Sequence, residues 1–405
     1  MQPFIVVLPA ILSLMPFWIV LTAALLTTTA HAQWQIQDSH TTASFRGIHN
    51  VGNGVVWASG TEGTVLRTTD EGTTWQRCTT PPEAEKLDFR GIQAFDQNTA
   101  IVMSSGQGNL SRLYKTTDAC KTWKLLFTNP DKEGFWDAIK FPNPKLGFIL
   151  GDPITRAFNY AKPRRRKFTG FALLYTEDGG DHFLYRTSFG NEADISTQGA
   201  FAASNSSLFI GWPGVWFGTG GKAGAKIYLN VFQQHIGFPD DRIELGSGEW
   251  RSINWPVPLA KGDAAGIFSV SFKRSELVSR DSLNVGTGPV FETYGIAVGG
   301  DYKKPEEHSE TAAFTIDGGQ HWTASQTPPH GYRSSVAYDS TTETWITVGP
   351  NGTDISRDDG KNWSTLKPSA QDAPDTDKNW NALSLPFVVG PKGRIGKLRP
   401  EALAH

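Results

Sequence analysis

Apolar and polar positions divide the chain into two unequal parts. Residues Phe4 to Leu26 are almost all apolar. After residue 33 no long helical periodicity occurs; short apolar runs alternate with glycine- and Ser/Thr/Asp-rich breaks. Runs such as TVLRTT and SRLYKTT precede such breaks, and TWQRC and TWKLLF follow them. Strand-length runs bounded by turn residues predict antiparallel hairpins.

The breaks repeat. Thr68-x-Asp70-x-Gly72-x-x-Trp75 recurs as Thr116, Asp118, Cys120, Trp123, with cysteine at the glycine place. It recurs again as Thr176, Asp178, Gly180, Phe183; as Thr315, Asp317, Gly319, Trp322; and as Ser356, Asp358, Gly360, Trp363. Hydroxyl and carboxylate oxygens accept nearby backbone N–H groups and fix a turn. Glycine supplies positive φ, and Trp opens the next strand with a large buried ring. On this reading Asp70, Asp118, Asp178, Asp317 and Asp358 shape turns and do no chemistry.

A second signal lies upstream. Phe45-Arg46-Gly47-Ile48 and Phe89-Arg90-Gly91-Ile92 open two units, and Trp136-Asp137-Ala138-Ile139 and Trp380-Asn381-Ala382-Leu383 share the form. Weaker versions are Phe268-Ser269-Val270 and Arg333-Ser334-Ser335-Val336. Strand, strand, strand, turn, strand at a period of about 40–60 residues predicts propeller blades. Seven units start near 45, 89, 135, 200, 266, 332 and 379. The fold expected is all-β: a seven-bladed β-propeller over 33–400, with 401–405 as a C-terminal tail. The fourth unit lacks the turn motif. The seventh is one strand short, and Gln33–Gln37 can fill the place, closing the ring without an open edge. Insertions are expected at 152–168 and 273–293.

Composition sharpens this picture. The 405 residues include 42 Gly, 14 Trp and 24 Phe but 3 Met, and the formal charge is −2. Glycine and aromatics suit short strands and tight turns. The near-neutral balance gives no push toward nucleic acid. Residues 1–32 end in Ala30-His31-Ala32 and read as a secretory signal peptide. No Lys or Arg precedes the apolar run, which is also long enough to span a bilayer; an uncleaved anchor is the alternative. Both place the remainder in the periplasm or outside the cell. Cys78 and Cys120 are either bridged, as an oxidising compartment permits, or two buried thiols.

The five turns resemble the bacterial neuraminidase repeat, or Asp-box. Asp-boxes on a seven-bladed ring with FRGI first strands resemble the photosystem II stability and assembly factor family, over essentially 33–400, and look closest to its exported bacterial relatives. The resemblance implies a propeller that holds a partner protein without catalysis. The lipid-anchoring cysteine of the photosynthetic members is missing here.

Sialidases share the repeat and supply the enzyme alternative, an extracellular glycoside hydrolase. It would need an arginine triad, for which Arg46, Arg90 and Arg333 stand, beside a Tyr/Glu pair such as Tyr294 and Glu292. No dinucleotide fingerprint, C-x-x-C or haem motif occurs, and the nine His show no ligand spacing; no cofactor or metal is expected.

The first-strand motifs in register bring Arg46, Arg90, Asp137 and Asn381 to equivalent places, with Ser334 and Phe268 or Ser269 opposite. They form either a polar axial pocket for an acidic group or an inter-blade ion-pair ring. Asp152, Asn205, Asp301 and Tyr302 lie on loops that a rigid ring would present. Lys162–Lys167 is strongly basic and faces either an acidic surface or solvent. The partner expected is an unidentified protein or peptide, bound by a monomer.

Overall fold

The short alternating runs become four-strand meanders. The computed structural model describes residues 33–159, 165–186, 191–211, 213–231, 251–273, 294–366, 372–373 and 375–403, all within one compact unit, His31–His405. Residues 1–32 and Glu292 lie outside the described residues, as do residues 162–164 of the basic run.

The first meander is Phe45–Gly52, Val55–Gly60, Val65–Thr68 and Gln76–Arg77, paired in that order. The second, third and sixth repeat this order from inner strands Phe89–Ala94, Trp136–Lys140 and Ser335–Asp339. Two further runs, starting at Leu208–Gly211 and Gly262–Lys273, join into one eight-stranded sheet through Gly220↔Gly266 and Gly221↔Gly262. The last group contains Ala382–Ser384, Phe387–Val389 and Ile395–Leu398, and its fourth strand is Trp34–Gln37 from the start of the chain. The register there is Trp34↔Leu398 to Gln37↔Ile395.

Middle strands are enclosed on both faces, so they read as continuous apolar runs. Ala100–Ser104 is buried throughout, whereas the outermost Gln76–Arg77 and Ser364–Thr365 are exposed. Alternation assigns the two faces of a strand to different cores. Ala100 and Val102 pack with Trp57 and Val65 of the first group; Ile101 and Met103 pack with Trp136 and Ile149 of the third. The same sharing continues along the chain. The Phe387, Val389 and Ile395 face of the last group meets Phe45, Ile48 and Val56 of the first.

Three expectations change. The described parts of the 152–168 insertion continue the ladder: Gly147–Asn159 and Arg165–Thr176 stay paired out to Asn159↔Arg165. The fourth unit gains its inner strand only at Leu208, because Ala200–Ser207 does other work, described below. The tail is not free, since Pro400–Leu403 forms a 3-10 turn and buries Leu403 in the core that holds Trp34 and Trp380. Residues 274–293 lie outside the described residues.

Candidate functional site

The five acidic turns come first, because their carboxylates are the most repeated chemistry in the chain. Each joins the third and fourth strands of its group. Thr68 Oγ1 donates to Asp70 Oδ1 (2.7 Å) and accepts from the Gly72 amide (3.0 Å), while Asp70 Oδ1 also accepts from the Thr74 amide (2.9 Å). The same bonds recur at Asp118, Asp178, Asp317 and Asp358, with hydroxyl–carboxylate distances of 2.7–2.9 Å. A further element was not read from the sequence. The residue four places after each aspartate bonds its second oxygen: Thr74, Thr122, His182, His321 and Asn362, at 2.6–2.9 Å. Its signal was a polar side chain just before each aromatic. Hydrogen bonds favour the charged form, so the Thr68 hydroxyl, with Thr74, holds Asp70 down at about 2, and Thr122 does the same for Asp118.

At the glycine place φ is positive, +81° at Gly72, and Cys120 adopts it at 58°. Cys120 forms a disulfide with Cys78, 42 residues earlier, tying the second group's turn to the edge of the first. The turn aromatics also reach backwards. Trp123 Nε1 donates to Thr79 O (2.9 Å) and Trp363 Nε1 to Ser325 Oγ (3.3 Å). Trp75 Nε1 donates to Gln37 Oε1 (2.9 Å), on the N-terminal strand.

The inner strands hold different chemistry. A β-bulge takes one residue out of the ladder in four of them, between Phe45/Gly47, Phe89/Gly91, Trp136/Ala138 and Ile267/Ser269. The released residues are Arg46, Arg90, Asp137 and Phe268; bulges re-aim side chains in this way. Arg46 feels Arg90, Asp88 and Tyr332 electrostatically, and burial, then Arg90, lowers its pKa. It makes no ion pair with any described residue, and its Nε is buried without a hydrogen-bond partner. Arg90 bonds Asp88 (2.7 Å) and the Ala202 carbonyl (3.4 Å), so the Arg90–Asp137 pair that an inter-blade ion-pair ring would use is not formed. Asp137 is 1% exposed with Oδ2 unpartnered, and burial, reinforced by Asp152, pushes its pKa well up against the pull of Arg90. Burial raises Asp152 to about 6, although it accepts the Ala200 amide (2.9 Å). Beside them stand Phe201, Phe268, Tyr302 and Tyr332: Phe201 stacks on Phe268 at 4.1 Å, and Tyr332 meets it edge-on at 4.8 Å.

Other expected site residues are committed elsewhere. Arg333 is fully buried, bound to Asp354, the Tyr332 carbonyl (2.8 Å) and Asn351. In its motif it holds the place of Phe45, the inward aromatic, which explains its burial. Ser269 donates to Ser206 Oγ (2.7 Å) and accepts from the Val336 amide (3.0 Å); the place out of the ladder belongs to Phe268, which is buried. Asn381 donates to the Phe45 carbonyl (2.8 Å), joining the last group to the first. Asp301 caps its own turn through the Lys303 amide (2.9 Å), and Tyr302, 48% exposed, continues the aromatic wall. Asn205 is a brace. Its amide donates to Ile92 O (2.8 Å) and accepts from Ile139 N (3.3 Å). With Ser206 bonding Ser269 and Ser335, and Ser204 bonding Ser334 O, this one turn touches the second, third, fifth and sixth groups. A Cβ on Gly91 would lie 2.7 Å from Asn205 Oδ1, so the motif glycine makes room for the crossing turn.

Tyr294 sits at the far end of its strand, with the Lys273 ammonium 4.6 Å above its ring. The described residues therefore bring together two of the three arginines that a sialidase site would use, and Tyr294 is not beside them. Among the described residues no group of three or more His, Cys, Asp or Glu could hold a metal ion.

No family model matches the chain, and no curated protein matches it. Solved structures do. One, described as YCF48 bound to D1 peptide, is 14% identical with a TM-score of 0.56, over 91% of this chain and 97% of that one. Another, YCF48 from Cyanidioschyzon merolae, is 18% identical with a TM-score of 0.54, over 91% of this chain and 100% of that one. Likeness at this identity shows the fold, a β-propeller built of four-stranded sheets.

Proposed function

We propose that this chain is an exported, non-catalytic β-propeller that holds a peptide or an extended protein segment, through an acidic group, at Arg46 and Arg90. The observation that carries this reading is Arg46. It is a guanidinium with no ion pair among the described residues, beside a second arginine and an aromatic wall. Arginine clamps carboxylates with two parallel bonds, and Tyr302 offers an exposed ring in front of the buried Phe268 and Tyr332. The peptide named with one fold neighbour is that protein's ligand, and it makes a peptide a reasonable first probe here.

Within this proposal the sheets form seven blades, the eight-stranded sheet counting as two. The ring closes on Trp34–Gln37. Cores shared by successive groups, including the last and the first, support that arrangement, and so does Gln37 receiving Trp75 as Thr79 receives Trp123. The five turns are then Asp-boxes at the blade periphery. The Cys78–Cys120 disulfide suits an oxidising compartment, in keeping with export. The protein acts as a monomer.

The test is a fluorescence-anisotropy screen of labelled peptides, with free or amidated C-termini and acidic or neutral sequences, against the mature protein. Acidic peptides are expected to bind at least tenfold tighter than neutral ones, and Arg46→Met to erase the difference. Equal binding of both classes, or binding untouched in Arg46→Met, would overturn the reading.

A further inference from the structure

At the other end of the inner strands lies a feature the peptide reading does not use. Four residues after the motif aromatics Phe45, Phe89, Trp136 and Trp380 stand His49, Gln93, Lys140 and Ser384. With Ile48, Ile92 and the crossing turn Ser204–Ser206 they line a cavity of about 60 Å³. The crossing turn separates it from Arg46 and Arg90: Asn205 and Ser206 are its wall, and they bond four groups of strands, as described above.

Lys140 lines it, half-buried, and makes no hydrogen bond or ion pair with any described residue, and no Asp or Glu lines the cavity. The remaining groups do not replace a counter-charge. His49 Nδ1 accepts the Ala94 amide (3.2 Å), and its Nε2 lies 3.3 Å from the Gln93 amide nitrogen. Gln93 is held in that orientation by the Phe141 N–H, which donates to its Oε1 (3.3 Å). With Nδ1 accepting, the neutral ring carries its proton on Nε2, and burial together with Lys140 lowers the His49 pKa to about 4. Ser384 Oγ accepts the Asn50 amide (2.9 Å), which leaves its own O–H free to donate into the cavity. A half-buried ammonium without a counter-charge among the described residues is a favourable place for an anion, which would supply the charge that the cavity lining does not.

We propose that this cavity is a binding site for a small monovalent anion of halide, nitrate or formate size, held by the Lys140 ammonium and the Ser384 hydroxyl. The volume admits a few atoms and excludes citrate or a nucleotide phosphate. Binding is favoured as the pH falls, because burial lowers the Lys140 pKa and a bound anion stabilises the charged form. Lys140 and His49 are the titratable groups lining the cavity, and His49 stays neutral above its lowered pKa.

The experiment is thermal unfolding of the mature protein in sodium formate, nitrate, sulfate or citrate at matched ionic strength, from pH 7 to 10. Formate and nitrate are expected to stabilise the wild type saturably, and more tightly as the pH falls, whereas sulfate and citrate give only a non-saturating response. Lys140→Met is expected to lose the saturable response, Ser384→Ala to weaken half-saturation several-fold, and Arg46→Met to keep it unchanged. If Lys140→Met fails to fold, the readout moves to the Lys140 Nζ resonance of the wild type, which formate must shift. Identical salt responses in wild type and Lys140→Met, or a Nζ resonance that formate leaves alone, would overturn the proposal.

Discussion

The outer turns and the inner-strand ends both concentrate charge, but they treat it in opposite ways. In the turns every carboxylate is met by amides and side chains, and hydrogen bonding lowers Asp70 and Asp118 to about 2. At the inner strands burial works against the charges. Asp152 rises to about 6, Asp137 rises well above its ordinary value with an oxygen unpartnered, and Arg46 has a bare Nε. Five well-satisfied aspartates look like a catalytic set when read as a list, yet they spend their bonding capacity on side chains and amides of their own turns. Groups with capacity to spare are the ones able to recognise something else.

The largest effect expected is on the outer side. Cys120→Ala opens the link to Cys78, and loop entropy for that separation predicts a loss of about 4 kcal/mol in chemical denaturation, with peptide affinity unchanged. Next, Asp317→Ala strips the Thr315 hydroxyl and the His321 amide of their acceptor and should cost about 1–2 kcal/mol, again without touching affinity. Arg46→Met should leave stability within about 1 kcal/mol of wild type, since an unpaired buried charge adds little to the fold, while abolishing acidic-peptide binding.

The smallest effects come from pH, and their signs differ between the two regions. Asp118 has a lowered folded pKa, so its contribution is present above about pH 4 and is lost as the pH falls toward 2. Asp152 has a raised folded pKa, so its contribution is present below about pH 4 and is lost as the pH rises toward 6. Urea midpoints across this range should therefore lose their acid-side slope in Asp118→Asn and their pH 4–6 decline in Asp152→Asn. Matching slopes in the two variants would erase the contrast.

Much of the fold was legible because its signals are local. Each turn motif spans eight residues, and hydroxyl, carboxylate and glycine act on backbone within that span. The FRGI-type openings marked the inner strands, and the bulge they encode explains why Arg46 and Arg90 leave the ladder. What escaped depends on distant partners. Arg333 looked available until Asp354, 21 residues on, took its guanidinium. Asn205 looked like a loop tip because Ile92 and Ile139 are far away in sequence. Lys140 carried no motif at all; only the convergence of four strand ends makes it solitary.

The central claim is that recognition belongs to the inner-strand ends and that the acidic turns are scaffolding. One titration tests it most directly: a labelled acidic peptide from the screen, followed by anisotropy, against wild type, Arg46→Met and Asp317→Ala under conditions where all three are folded. The account predicts wild-type affinity in Asp317→Ala and no measurable binding in Arg46→Met. Binding lost in Asp317→Ala and retained in Arg46→Met would contradict it.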